Sequence, residues 1–360
     1  MKMHRPGASV MMAPSILAGS MYSMFRLHLT VRRISLALLM GSVLGTGAAQ
    51  AAVFKDPVLQ AAFAAGKIDE LEQAAWVRQK NEPDDVQAAV ALTLAALPVG
   101  DPKRVDAGVK SMQHCVAQQS REAACYYALG NALTFQVVNG GVLQALGLIP
   151  RVRDALYQAF QLAPESYEVR SALLQFYLVA PGVVGGSVEK ARALEAAIQD
   201  QHPDQARMLR VYMAAQSDRL ADMERELRGV RVAGDPRLAF EVREAVADLG
   251  RRYIKARDYA KAKSLYEQLV HDQPRQAQGP FLLSRLAIEQ HDADEAVRQM
   301  ERAATLEGTA QLPIDYRLGD AYRAKGDLIR ARVAYERFLG NPYANPRHLA
   351  EVRKILAEMQ

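Results

Sequence analysis

Cys115 and Cys125 are the only cysteines in a chain of 360 residues, and they stand ten positions apart. That spacing is neither the C-x-x-C of a redox pair nor the paired spacing of a zinc site. Three states are open to them: a disulfide, two buried free thiols, or a redox-active pair. The histidines at 114, 202, 271, 291 and 348 are scattered along the chain and read as exposed helix-end residues rather than metal ligands. The chain has no HExxH pair, no G-x-S-x-G elbow and no P-loop, so hydrolytic metal, acyl-transfer and nucleotide chemistry lack their usual carriers. The glycine-rich stretch Gly182 to Gly186 leads from helix to helix, which makes a poor phosphate cradle. Trp76 is expected in the core of an early helix pair. These residues predict a protein without enzymatic chemistry, cofactor or metal.

The elements that carry these residues are helical. Half of the chain is hydrophobic but only 7% is aromatic, with a single Trp. Apolar residues recur at i, i+3, i+4 and i+7, and strand-like alternation is nearly absent. The first 51 residues stand apart. Arg26, Arg32 and Arg33 precede the apolar run Ile34 to Gly47, and Ala49-Gln50-Ala51 follows. This is the order of a secretory signal peptide cleaved near Ala51, with Met21 or Met24 a better start than Met1. A retained anchor is the competing reading, but the run is shorter than the ~20 residues a spanning helix needs. The expected location is the periplasm. Five of the 45 Lys and Arg and none of the 40 Asp and Glu lie in this segment. The remaining chain is therefore formally neutral, without the basic surplus that nucleic-acid or anionic-membrane binding requires.

Self-similarity organises the rest. Leu249-Gly250, Tyr253, Ala262, Tyr266, Leu269 and Pro274 return 34 residues later as Leu283-Ser284, Ala287, Ala296, Met300 and Ala303. They return again 35 residues on as Leu318-Gly319, Tyr322, Ala331, Tyr335, Phe338 and Pro342, with Gly326-Asp327 as the turn. Looser copies carry Tyr126, Leu129-Gly130, Leu133, Leu156, Ala159 and Pro164, then Leu173, Tyr177, Ala191 and Pro203. This pattern resembles the tetratricopeptide repeat superfamily, whose unit is a helix–turn–helix of ~34 residues. The turn APGVVGGS, from Ala180 to Ser187, is similar to that of a group of bacterial exported tetratricopeptide proteins. The resemblance implies an all-α, right-handed superhelical solenoid. Its parts are degenerate helical pairs over 52–120, two units with inserted turns over 121–203, a degenerate pair over 204–243, three regular units over 244–343 and a capping helix over 346–360.

In that register Cys115 falls near the end of one second helix and Cys125 near the start of the next helix, facing each other between units. With export, a disulfide becomes the leading reading of the pair. The resemblance also implies a concave groove lined by first helices. Tyr127, Phe281 and Tyr316 form one row with Ser171 and Ala247; Asn131, Gln175, Arg251, Arg285 and Asp320 form another. Arg251 and Arg285 beside Phe281 and Tyr316 suit an acidic or carboxylate-ended peptide. Two units carry long connections between their helices, one around Asn139-Gly140-Gly141 and one around Pro181, Gly185 and Gly186. They are expected to meet as one ledge, 134–151 against 180–186, faced by Val137, Val138, Val142, Leu143 and Leu146. The function expected is a non-catalytic envelope scaffold that binds another protein or a peptide. Alternatives are a subunit of an envelope enzyme acting on cell-wall polymer, and a lipid or small-ligand carrier.

Overall fold

The computed structural model describes residues 52–359 except Ala233, so the signal-peptide segment lies outside the described residues. Among the described residues there are seventeen α-helices and no strand, with one isolated bridge between Gln276 and Glu307. The helices run as antiparallel pairs: α1 (Pro57–Ala65) with α2 (Ile68–Asn81), α3 (Val86–Val99) with α4 (Pro102–Gln118), and α5 (Ala123–Asn139) with α6 (Val142–Leu162). Next come α7 (Tyr167–Val179) with α8 (Val188–Ala196) and α9 (Pro203–Gln216) with α10 (Leu220–Arg228). The last three pairs are α11 (Pro236–Lys255) with α12 (Tyr259–Asp272), α13 (Gln278–Glu289) with α14 (Ala293–Ala304), and α15 (Ile314–Lys325) with α16 (Leu328–Leu339). A single helix, α17 (Pro346–Glu358), closes the series on α16.

Local chemistry sets these boundaries. Asp56, Asp101 and Asp235 accept hydrogen bonds from the first backbone N–H groups of α1, α4 and α11, and each of those helices opens with Pro. Proline is tolerated there because its missing N–H would have no intrahelical acceptor. In the first and last regular units, the first helix presents a glycine where the second helix presents a tyrosine. A Cβ on Gly319 would lie 2.5 Å from the ring of Tyr335. Ser284 holds the equivalent place in the middle unit and donates from Oγ to Ala296 O at 2.7 Å.

Several sequence expectations change here. Residues 134–139 and 142–151 are not a long loop: they extend α5 and α6, leaving only Gly140-Gly141 as the turn. Apolar positions continue at helical spacing through both segments, so each adds turns to its helix. The turn 180–187 reaches α6 at Arg153, whose Cδ lies 2.9 Å from an ideal Cβ on Gly185. It does not reach the hairpin tip, where Leu143 is 88% exposed. Trp76 is 55% exposed and donates from Nε1 to Glu72 at 3.2 Å, because α2 buries the neighbouring stripe of Leu71 and Ala75 instead.

The array also closes on itself. The α1 helix packs against α11, and Arg243 donates to the Ala65 carbonyl at 3.2 Å. Gln311 donates from Nε2 to Asp69 at 2.8 Å across 242 residues of sequence. The N-terminal pair thus sits against the C-terminal units rather than at a free end.

Candidate functional site

Closure divides the inner face into a filled half and an open half. In the filled half Tyr127 is 3% exposed and its ring lies 6.3 Å from that of Phe63 on α1. Asn131 is 5% exposed and donates to the Tyr127 carbonyl of its own helix at 2.8 Å. Neither can face a partner, contrary to the expectation from register. The cause is α1, which occupies the groove that the first helices would otherwise leave open. Gln175 is half-buried, bonded to Ser171 Oγ at 3.3 Å, and stands off the cavity wall.

The filled half is held by a buried polar centre. Glu241 is fully buried and receives Arg237 through Nε at 2.9 Å and a terminal nitrogen at 2.8 Å, with Tyr167 Oη donating at 2.5 Å. The Arg237 guanidinium lies over the rings of Phe63 and Phe240 at 5.3 and 5.7 Å. Burial and the Glu241 carboxylate push the Tyr167 hydroxyl well above its ordinary range, so it stays a donor. Arg237 of α11 and Tyr167 of α7 therefore meet on one carboxylate, with Phe63 of α1 against the arginine, which makes this centre a clasp between distant parts of the chain.

The open half is a cavity of about 1070 Å³. Its walls come from α11, α13, α15 and α17, and the α1–α2 turn at Gly66 to Ile68 together with the loop Gly308 to Pro313 borders it. Arg251, Phe281, Arg285 and Tyr316, expected from register to share a groove, all line it. Asp320 does not: it accepts Tyr335 Oη and an Arg317 nitrogen, both at 2.8 Å, behind the wall. Arg251 is bonded to Asp248 at 3.1 Å.

Sequence reading missed Arg243, Glu244, Gln278, Arg317, His348 and Glu351, which also line the cavity. A further register row could have found two of them. Glu244 and Gln278 both stand five residues before the Leu of their unit, and Gln278 donates from Nε2 to Glu244 at 2.9 Å. Burial raises the Glu244 carboxyl, against that hydrogen bond and the nearby arginines. The Arg317 guanidinium stacks over Tyr316 at 4.1 Å, and Tyr316 Oη donates to Glu351 at 2.8 Å. His348, read from sequence as an exposed histidine, is half-buried with its ring 5.2 Å from that of Tyr316. Among the described residues no cluster of three or more His, Cys, Asp or Glu is placed to hold a metal, and no helix is long and apolar enough to cross a membrane.

Cys115 on α4 and Cys125 on α5 form a disulfide with a Cα–Cα distance of 6.0 Å, joining two neighbouring pairs.

The paired helices, their close contacts at small residues and the inward cavity define an all-α solenoid of repeated helix–turn–helix pairs. No family model and no curated protein matches the chain. Among solved structures it is similar to a tetratricopeptide repeat protein from Parabacteroides merdae. The two are 13% identical over 82% of this chain and 99% of that one, with a TM-score of 0.40. It is also similar to the TPR domain of P58(IPK), at 13% identity over 84% of this chain and 96% of that one, with a TM-score of 0.28.

Proposed function

We propose that this chain is an exported, non-catalytic scaffold of the cell envelope that holds an acidic segment of a protein partner in its C-terminal cavity. The observation that carries the reading is the convergence of Arg251, Phe281, Arg285 and Tyr316 from three successive units on one concave wall. Arginines beside aromatic faces recognise carboxylates through charge-assisted hydrogen bonds while the rings bury the intervening chain. Repeat arrays commonly bind in this way, through an extended inner surface. Export is supported by the residue order of the first 51 positions and by the cysteine pair, since disulfides persist in oxidising compartments.

Replacing Arg251 and Arg285 together with Ala should weaken partner binding with helical content unchanged, and added salt should weaken the parent's binding too. The measurement is capture of envelope proteins by parent and double variant over a salt series. Undiminished capture by the double variant removes the cavity as the partner site. Export is checked by N-terminal sequencing of protein from fractionated cells. The mature chain should begin at or near Ala52, and an intact 30–50 segment on cytoplasmic protein defeats the claim.

A further inference from the structure

Arg285 is unlike the other arginines of the cavity. It lines the wall, partly exposed to the cavity, and no hydrogen bond or ion pair joins it to another of the described residues. Arg317, one unit on, gives one nitrogen to Asp320 but keeps its Nε buried without an acceptor. Of the carboxylates that act on Arg285, Asp320 accepts from Tyr335 and Arg317 behind the wall, and Glu289 is exposed. Burial and the neighbouring Arg317 pull the Arg285 guanidinium down to about 10, which still leaves it charged at neutral pH.

The Arg317 Nε, buried without an acceptor, costs the folded chain the desolvation of that group. Such local cost is characteristic of sites built for a ligand, where it preorganises the recognising group. A guanidinium donates two parallel bonds to an oxyanion, and the second positive charge at Arg317 favours a negative head there. The adjoining wall of Phe281, Leu282 and Leu312 is apolar.

We propose that the cavity contains a binding site for a single oxyanion head, a carboxylate or phosphate, centred on Arg285, with an apolar stem along Phe281, Leu282 and Leu312. This deepens the scaffold reading and rests on it only for the location of the site.

The test uses the full chain at low salt. Calorimetric titration with hexanoate, inorganic phosphate, and a short apolar peptide with a free C-terminal carboxylate or its amidated twin is combined with melting curves. Arg285→Met should melt close to the parent without any probe, because the guanidinium bonds no other described residue, and should bind roughly tenfold or more weakly. Arg275→Met, an exposed arginine of the same cavity, should behave as the parent. Binding of the free-carboxylate peptide but not of its twin assigns the head to a chain terminus. Binding of hexanoate or phosphate alone assigns it to a small anion, and either result supports the site. The proposal is overturned if the parent binds no probe, if Arg285→Met binds as well as the parent, or if that variant melts lower or fails to fold. Should probes bind while no protein partner is captured, the scaffold reading falls and the anion site stands. Capture through the cavity with no probe bound gives the reverse.

Discussion

The hydroxyl of Tyr266 occupies the space a side chain on Gly250 would need: an ideal Cβ there lies 2.2 Å from the phenolic oxygen. The two helices of this unit approach as closely as they do because one of them has no side chain at the contact. Gly250→Ala should therefore destabilise the protein by about 1–3 kcal/mol, the range for overpacking a filled core. Chemical denaturation of parent and variant measures it, and an unchanged midpoint would show that the contact is loose.

In the three regular units the turn between paired helices takes a left-handed residue, and two of them fill it against type. Arg257 and His291 both have φ of 61°, where the last unit uses Gly326 at 85°. Both side chains are exposed, so nothing in the core depends on them. Arg257→Gly and His291→Gly should each stabilise by roughly 0.5–1 kcal/mol, since glycine adopts this conformation without the Cβ penalty. Thermal midpoints below the parent's would contradict this account of the turn.

The Cys115–Cys125 bond closes a short loop between two pairs. In the chain-entropy model a loop of this size contributes roughly 2–3 kcal/mol, so the Cys115→Ala, Cys125→Ala double variant should unfold at correspondingly lower denaturant. Thiol counting on non-reduced, denatured protein gives the direct check: two freely alkylated cysteines would rule the bond out.

His348 gives the stability a pH dependence. Burial, with the charges of Arg317 and Arg285, holds its imidazole below the ordinary 6.5, against the opposing pull of Glu351 and Asp320. The folded state then binds fewer protons than the unfolded state around that pH. Stability from this group is complete above the unfolded value and declines as pH falls through 6.5 toward the folded value. His348→Gln should flatten the stability profile over that window. A slope identical to the parent's would place the titrating group elsewhere.

Much of the architecture follows from residue type and spacing alone. The phased Leu-Gly, Ala and Tyr positions after residue 246 specify pairs of helices, because each marks a contact within one unit or with the next. The cysteine pairing is local in the same sense, since Cys115 and Cys125 sit on consecutive helices. The side-by-side placement of Arg251, Arg285, Phe281 and Tyr316 is equally a matter of neighbouring units. Apolar spacing continues at helical intervals through 134–151, so these residues belong to α5 and α6 and only Gly140-Gly141 turns the chain.

What the sequence could not decide is where the array ends up. The bend between successive pairs is small, and its sum over many pairs sets whether the first pair hangs free or meets the last. Here Gln311 meets Asp69, and Phe63 lies over Tyr127 and under Arg237. That long-range meeting buries the upstream half of the expected groove and leaves the downstream half as the cavity. It also brings Glu241 to Arg237 and Tyr167, and leaves Arg285 charged in the wall. Contacts between neighbouring units are written in the repeat. Contacts across the closure depend on accumulated geometry, which no single repeat contains.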